Sequence, residues 1–407
     1  MQEALREVEQ IQDTNTLPRE YPWEATTEKR ITPAPYAHKP NHRLPKDVDY
    51  YTKVSEWCLA NLYPKTCKRC GTTMTGRIST RPYTIRCDSC HRQGSRYDKT
   101  PWHRLKVPEW MLGWVIYESL ECYPQVLTST QIRNRLGVGK NTATRLKRRF
   151  QLFSSNQLVK IKRLIYRELE QDWAGHDFPR SSVDVSAQVK ERKVVHADTC
   201  ALFSASQTAN QGRKRFKHSG LTASIYCSDN VKEGKQIGSL VQTLAWKGGP
   251  VIYDTVHNNR ATSLMPLLDR YVPKDVGLFT DEGYKFYYRI NKNHRMINHS
   301  RKSRDKRYRY ARDRWSRLGV HNQVAEGHQR LLKWQFGAGY SYISPEKMPL
   351  YLDEYSFIRN IRYYGFDSVV KESNRKSTDL NHARRGSVVC NEGLLYLANS
   401  CPVCTQA

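Results

Sequence analysis

The sequence predicts a multidomain α/β protein: a small cysteine-ligated module and a helical region come first, followed by a mixed sheet with flanking helices. Three observations carry that prediction. Two Cys-x-x-Cys pairs stand sixteen residues apart in the first quarter of the chain. After them, apolar residues recur at the three- and four-residue spacing of helices. From about residue 193, short apolar runs bounded by Gly and Pro alternate with helical stretches, the pattern of buried strands in a layered domain. A chain of 407 residues is long enough for two or three domains.

Residues 1–50 are polar, carry Pro18, Pro22, Pro33, Pro35, Pro40 and Pro45, and read as an extended arm with little core of its own. Residues 51–106 hold Cys67-Lys68-Arg69-Cys70 and Cys87-Asp88-Ser89-Cys90, the spacing of a zinc ribbon. Four thiolates close a tetrahedral site, and the metal replaces a core that so short a segment cannot build. With every position filled by thiolate, the Zn2+ is expected to be structural. Arg69, Arg77, Arg81, Arg86 and Arg92 decorate this module. Residues 107–152 begin with an apolar helix over 107–121. A second helix, Thr128 to Gly137, ends in glycine, and Val138-Gly139-Lys140-Asn141 makes a turn. A third begins at Thr142 and bears Arg145, Lys147, Arg148 and Arg149. This is the pattern of a helix-turn-helix, whose second helix enters a major groove. A plain helical hairpin shares it, and the basic charge, with Lys140 in the turn, tips the balance toward DNA. Over 153–192, Leu158, Ile161, Ile165 and Leu169 make an apolar stripe on a connecting helix, with packing inside the monomer preferred to dimerisation.

Residues 193–365 alternate strands and helices. Lys193–Phe203 reads as a strand and Leu221–Cys227 as its hairpin partner. Val251–Tyr253 precedes a helix that includes Ser263–Leu268, and Gly277–Thr280 leads to Asp281. Asp198 interrupts the first strand, Asp281 closes a later one, and Glu326 lies on a helix around 322–333. A carboxylate inside an apolar strand costs several kcal/mol unless a cation or donors compensate it. Two strand acids and a helix acid therefore suit a clamp for hard divalent ions, two Mg2+ or Mn2+. Acids at strand centre, strand end and helix of a mixed sheet are the layout of an RNase H-like nuclease. Lys333 lies seven residues after Glu326 and faces the same side, placed to hold phosphate; an amphipathic surface pair is the plainer alternative. Nine Lys or Arg fall between Arg301 and Arg317, among them Arg304 and Arg307, and make either phosphate contacts or a solvated face. Asp254 reads as a helix cap, and His196 and His299 as structural. In the tail, 366–407, Cys390, Cys401 and Cys404, with His382, are candidates for a second zinc site, against a tail CxxC without a fourth ligand.

The 67 Lys and Arg against 39 Asp and Glu leave a formal charge of +28, which points to a polyanionic partner, most simply double-stranded DNA. No apolar stretch approaches the ~20 residues of a membrane span. The first residues lack the apolar core of a secretory signal, so no membrane partner is expected. Eleven cysteines in an unsecreted chain favour reduced thiols and metal ligation over disulfides.

The segment His321 to Lys333, then Gly339-Tyr340, Ile343-Ser344-Pro345, Tyr351 to Phe357 and Asn360, resembles the C-terminal signature of zinc-ribbon DDE transposases of bacterial insertion sequences, to which the eukaryotic Merlin elements are related. Thr280-Asp281-Glu282 and His294 to Ser300 match further blocks, as do the four cysteines and the helical region after them. The likeness spans roughly residues 65–365. It implies an RNase H-like core, a metal-bound triad of Asp198, Asp281 and Glu326, and Lys333 as an accessory DNA contact. It also implies cleavage at terminal inverted repeats, transfer of a 3′-hydroxyl into target DNA, and a homodimer or higher oligomer on DNA. The setting would be the bacterial nucleoid, or the nucleus of a eukaryotic host. The first block, His196-Ala197-Asp198-Thr199-Cys200, lacks the acid that the family usually places after the Asp. Some relatives use Asn or His as third ligand, which keeps Asn322 and His321 as fallback candidates. Two other expectations stand beside this one: a domesticated, non-catalytic DNA-binding regulator, and a nuclease or resolvase without strand transfer. A Tyr or Ser recombinase needs a nucleophile inside an arginine cluster, and no such block stands out among the 25 tyrosines.

Overall fold

A computed structural model describes residues 21–24, 44–202, 239–298, 315–340, 343, 347–374, 387–389 and 395–397. The chain divides into two compact units, one made by the described residues up to Lys160 and from Tyr364 on, the other by Ile161–Tyr363.

In the first unit, helix α1 (Val48–Asn61) starts where Asp47 accepts a 2.6 Å hydrogen bond from the Tyr50 amide. It begins inside the range expected to be arm. The arm also contributes core. Tyr21 and Trp23 are buried and stacked at 4.5 Å, and Trp23 meets Trp57 and Phe366 edge-on. Large rings find partners wherever the chain passes an apolar surface, so proline-rich polarity alone did not reveal this anchor. The ribbon is a three-stranded antiparallel sheet of β1 (Gly76–Arg77), β2 (Thr84–Arg86) and β3 (Gln93–Ser95).

Helix α2 (Glu109–Glu121) lies close against α1 because Gly113 has no side chain. A Cβ there would fall 1.9 Å from the Tyr51 carbonyl oxygen. The contact is tied by Ser55, whose hydroxyl donates to the Glu109 carbonyl at 2.8 Å and accepts from Trp102 Nε1 at 3.2 Å. Helix α3 (Ser129–Leu136) carries a capping box between Thr128 and Gln131 and stops at Gly137, which adopts a left-handed φ of 63°. Two helices were expected after the turn, one from Thr142 and a separate connecting one. A single 34-residue helix, α4 (Lys140–Trp173), replaces both. Nothing in 140–173 breaks it, since the segment has neither Gly nor Pro. All four stripe residues, Leu158, Ile161, Ile165 and Leu169, are buried within the chain.

The second unit continues with α5 (Ser186–Glu191) and centres on a five-stranded mixed sheet. Its strands are β4 (Val195–Leu202), β5 (Ser239–Ala245), β6 (Val251–Val256), β7 (Leu278–Asp281) and β8 (His294–Ile297), in the order β6-β5-β4-β7-β8. The first three run antiparallel, while β7 is parallel to β4 and β8 to β7. The expected hairpin partner Leu221–Cys227 lies outside the described residues. The strand that pairs with β4 is β5, which the sequence pattern did not single out. Every residue of β5 is buried, so no in–out alternation marks it.

The register sorts the side chains by face. Asp198 is opposite Thr243, which is opposite Tyr253. Their neighbours Thr199, Gln242 and Asp254 point to the other side. Helix α6 (Ala261–Tyr271) and α4 cover that second face, where Ile165, Leu169 and Tyr271 join Leu244 and Ile252 around a small cavity. Asp254 is thus not a helix cap. It sits in β6 and accepts a 3.2 Å hydrogen bond from the Tyr271 hydroxyl, and Lys162 is buried beside the same tyrosine. The face of Asp198 receives α7 (Gln323–Gly339), entered through the two-residue pair β9 (Ser316–Arg317) and β10 (Val320–His321). Helix α8 (Met348–Asn374), kinked at Gly365, covers the exposed edge of β6. Asn360 accepts from the Val251 amide at 2.8 Å and donates to its carbonyl at 2.7 Å, and Ser356 accepts from the Tyr253 amide. An edge strand left bare is a site for unwanted pairing, and these two side chains satisfy it. A short pair, β11 (Ser387–Val389) and β12 (Leu395–Leu397), completes the described elements. Among the described residues no helix is long and apolar enough to cross a membrane.

Replacing Gly113 by Ala should destabilise the protein by about 1–3 kcal/mol, because backbone must move to admit the methyl group. Gly337→Ala, where a Cβ meets nothing within 4 Å, should be neutral or stabilising. Urea unfolding of the two variants checks this; equal midpoints would refute the close-packing argument.

Candidate functional site

Two places gather chemically useful side chains. In the ribbon, Cys67 and Cys90 sulfurs lie 3.4 Å apart, Cys70 and Cys87 3.3 Å, and Cys70 and Cys90 3.7 Å. A tetrahedral zinc with Zn–S bonds of about 2.3 Å requires sulfurs roughly 3.8 Å apart, so the quartet fits the metal that its spacing predicts. Each pair sits on the same turn. The Cys67 amide donates to Thr72 and the Gly71 amide to Cys67, as the Cys87 amide does to Arg92 and the His91 amide to Cys87. Gly71 and His91 hold matching left-handed φ values of 73° and 57°. Among the described residues this is the group of His, Cys, Asp and Glu whose ligand atoms all lie within 4.8 Å.

The second place is the front face of the mixed sheet. Parallel pairing sets Ala197 beside Thr280, so the next residues along, Asp198 and Asp281, are neighbours on adjacent strands roughly 5 Å apart at the backbone. Glu326 comes from the first turn of α7. That helix is fixed by Asn322, whose side-chain nitrogen donates to the Ala197 carbonyl at 3.3 Å, and by the Tyr253 hydroxyl, which donates to the His328 carbonyl at 3.1 Å. Asp198 keeps some contact with solvent, yet surrounding atoms desolvate its carboxyl group. Burial first, then the charge of Asp281, pushes it up to about 8; Glu326 adds to the rise, while the Thr199 amide and Gln329 oppose it. Asp281 itself accepts from the Gly283 amide at 3.0 Å, capping the short 3₁₀ helix Glu282–Arg289. The three acids thus share one neighbourhood without closing into a set within 4.8 Å. Mutual repulsion of this kind is what a divalent cation relieves, and the donors are the hard oxygens that Mg2+ and Mn2+ take.

The residues around the acids divide into those anticipated and those missed. Lys333 is exposed, and its charge acts on the buried Cys200 thiol, two residues past Asp198 on the same face. His196 is buried, packs on Phe279 and on His321 at 4.9 Å, and is held neutral by burial, as the structural reading expected. The fallback candidates have contacts of their own: the Asn322 side-chain nitrogen anchors the helix, and His321 packs at a tilt on His196. Gln329 and Tyr284 were not anticipated. Gln329 lies one turn after Glu326, a spacing that could have identified it. Tyr284 is fully buried, and burial with the charges of Asp198 and Asp281 holds its phenol protonated. No sequence signal marks it.

The basic residues fare unequally. Arg69, Arg77, Arg81, Arg86 and Arg92 are all exposed on the ribbon, as are Lys140 and Arg145 at the start of α4. Lys147 is not available to DNA: it is 2 % exposed, and its ammonium donates to the Leu127 carbonyl. Helical periodicity turns it toward the core, where a carbonyl between α2 and α3 satisfies it. Arg148 bonds Gln151, and Arg149 is half-buried. Arg301, Arg304, Arg307, His299, His382, Cys390, Cys401 and Cys404 lie outside the described residues.

Residues 229–360 match the family model described as an ISXO2-like transposase domain. The match includes Asp281, Glu326 and Lys333 and begins after Asp198, whose place rests on the sheet register. No curated protein and no solved structure matches the chain.

Two outcomes are expected. Metal analysis should find zinc in the wild type and none with serine at both Cys67 and Cys70, which should also unfold the ribbon; unchanged zinc content would remove the site. For Asp198 the folded carboxyl titrates above its ordinary 3.8, so its cost is absent below that value, grows as pH rises, and is complete above about 8. In metal-free buffer, Asp198→Asn should therefore raise the melting temperature at pH 8.5 but not at pH 3.5, and Mg2+ should stabilise the wild type far more than the variant. A gain independent of pH would contradict the burial argument.

Proposed function

We propose, from the match of residues 229–360 to the ISXO2-like transposase domain, that the protein is an insertion-sequence transposase whose active site is Asp198, Asp281 and Glu326 on an RNase H-like sheet. The observation that carries this reading is the β4–β7 register, which sets Asp198 beside Asp281 under the helix of Glu326; burial and this crowding push the Asp198 carboxyl up to about 8. A protein gains nothing structurally from two acids side by side under a helix, and perturbed groups of this sort cluster at functional sites.

The three carboxylates would hold two divalent cations. Such ions, when bound, supply Lewis-acid activation of the attacking and departing oxygens of a phosphodiester. The chain's own residues do the rest. Asn322 and Tyr253 keep α7, and so Glu326, over the two strand acids. Gln329 and the Thr199 amide hold Asp198 toward its ionised form. Lys333 holds a backbone phosphate next to the acids as a point charge. Water attacks the phosphodiester at the transposon end and leaves a 3′-hydroxyl and a 5′-phosphate. That hydroxyl then attacks a target phosphodiester, one such bond forming as another breaks. The ribbon and the α3–α4 helix-turn-helix recognise the terminal repeats, with Lys140, Arg145 and the ribbon arginines as phosphate contacts. Joining two ends calls for at least a dimer on DNA.

Asp281→Asn should abolish cutting of labelled end DNA, by three orders of magnitude or more, while end binding in a gel-shift assay stays near wild type. Cutting that survives would show the site to be elsewhere. Nicks without strand-transfer product would reduce the activity to a nuclease.

A further inference from the structure

Trp334 is 68 % exposed, the most exposed of the large hydrophobic side chains among the described residues. Tryptophan is rarely left in water on a helix that has a core to face. The buried side of α7 is already complete without it, formed by Val324, Ala325, His328, Gln329, Leu332, Gln335 and Phe336. At 100° per residue, Glu326, Arg330, Lys333, Trp334 and Gly337 share an arc of about 100° that lies outside this buried side, with Glu326 near its border. Arg330 and Lys333 are exposed cations, four residues and one residue before the ring in sequence. The next positions along the helix surface, Gly337 and Ala338, have no side chain that could cover the indole, and a Cβ at Gly337 would meet nothing within 4 Å. An open aromatic face thus stands beside two cations, on the helix that supplies Glu326.

We propose that Trp334, with Arg330 and Lys333, is a stacking platform for an unpaired base of the DNA strand held at the acids. This deepens the transposase reading and rests on it for the nature of the substrate. The flat ring matches a nucleobase, and the cations beside it match the adjoining phosphates of the strand. A base inside a duplex has both faces covered by its neighbours, so the base taken must be one released from pairing. Strand cutting at a transposon end needs such local opening to bring the scissile phosphate to carboxylates on a sheet. A second protein surface fits less well, because the patch is strongly basic in a chain of charge +28.

The test uses the full chain in metal-free buffer, where no cutting occurs, and two labelled duplexes of one sequence, one fully paired and one with a frayed end. Wild type should bind the frayed duplex roughly tenfold more tightly. Trp334→Ala should lose that preference while keeping its affinity for paired DNA, and Trp334→Phe should retain most of it. The platform is overturned if Trp334→Ala keeps the preference, if wild type has none, or if Trp334→Leu performs as well as Trp334→Phe. A change in oligomeric state on sedimentation of Trp334→Ala, with the preference intact, would also overturn it and assign the ring to an interface between copies. A frayed-end preference that depends on Trp334 in a protein that cuts no DNA with Mg2+ or Mn2+ would support the platform and sink the transposase reading alone.

Discussion

Parallel pairing between β4 and β7 brings Asp281 beside Asp198 at a place where a single carboxylate would already be costly. Much of the second unit keeps that pairing in place. Antiparallel β5 supports the other side of β4 from His196 to Leu202, all but its first residue. Asn322 ties the start of α7 to the carbonyl of the residue before Asp198. The Thr280 hydroxyl bonds His294 at 2.8 Å, joining the strand end at Asp281 to β8. Burial pushes His294 down to about 4, so this contact adds no positive charge that would quench the acids. The sheet edge is closed by Asn360 and Ser356, side chains that imitate the hydrogen bonding of a further strand. The surrounding contacts thus hold in place a locus that is itself unfavourable.

The first unit follows a different economy. Its ribbon has almost no apolar interior beyond Ile85, Cys67 and Cys87, and its four cysteines are grouped so that a metal could take the place of packing. Around it, aromatic rings supply the core: Tyr21, Trp23, Trp57 and Phe366 in one cluster, and Trp102 with Phe153 in another. The surface left over is cationic, with exposed arginines on the ribbon and exposed Lys140 and Arg145 on α4. Charge of one sign spread over such surfaces raises the local concentration of a polyanion and speeds its association.

Lys147 shows why a list of basic residues is not a list of contacts. It lies in the same run as Arg145 and Arg148, and composition cannot separate them. Two helical steps of 100° carry it from the face of Arg145 to the opposite one, and an ammonium can enter a core only where an oxygen awaits it. The same limit hid β5, whose two buried faces erase the alternation that identifies strands. It hid the anchoring of Tyr21 and Trp23 as well, since the partners Trp57 and Phe366 are far away in sequence.

Sequence alone determined what local chemistry controls. The spacing of the four cysteines, the glycine stop at Gly137, the apolar runs of β4 and β7, and the one-sided periodicity of α7 each depend on residues within a turn or a strand of one another. Those signals were enough to propose three acids and a metal-ligating quartet. Which acids stand together was decided by the tertiary structure, because Asp198, Asp281 and Glu326 meet only through the register of β4 on β7 and the seating of α7. Long-range pairing, rather than any property of the residues taken singly, sets the desolvation and the repulsion that make Asp198 unusual.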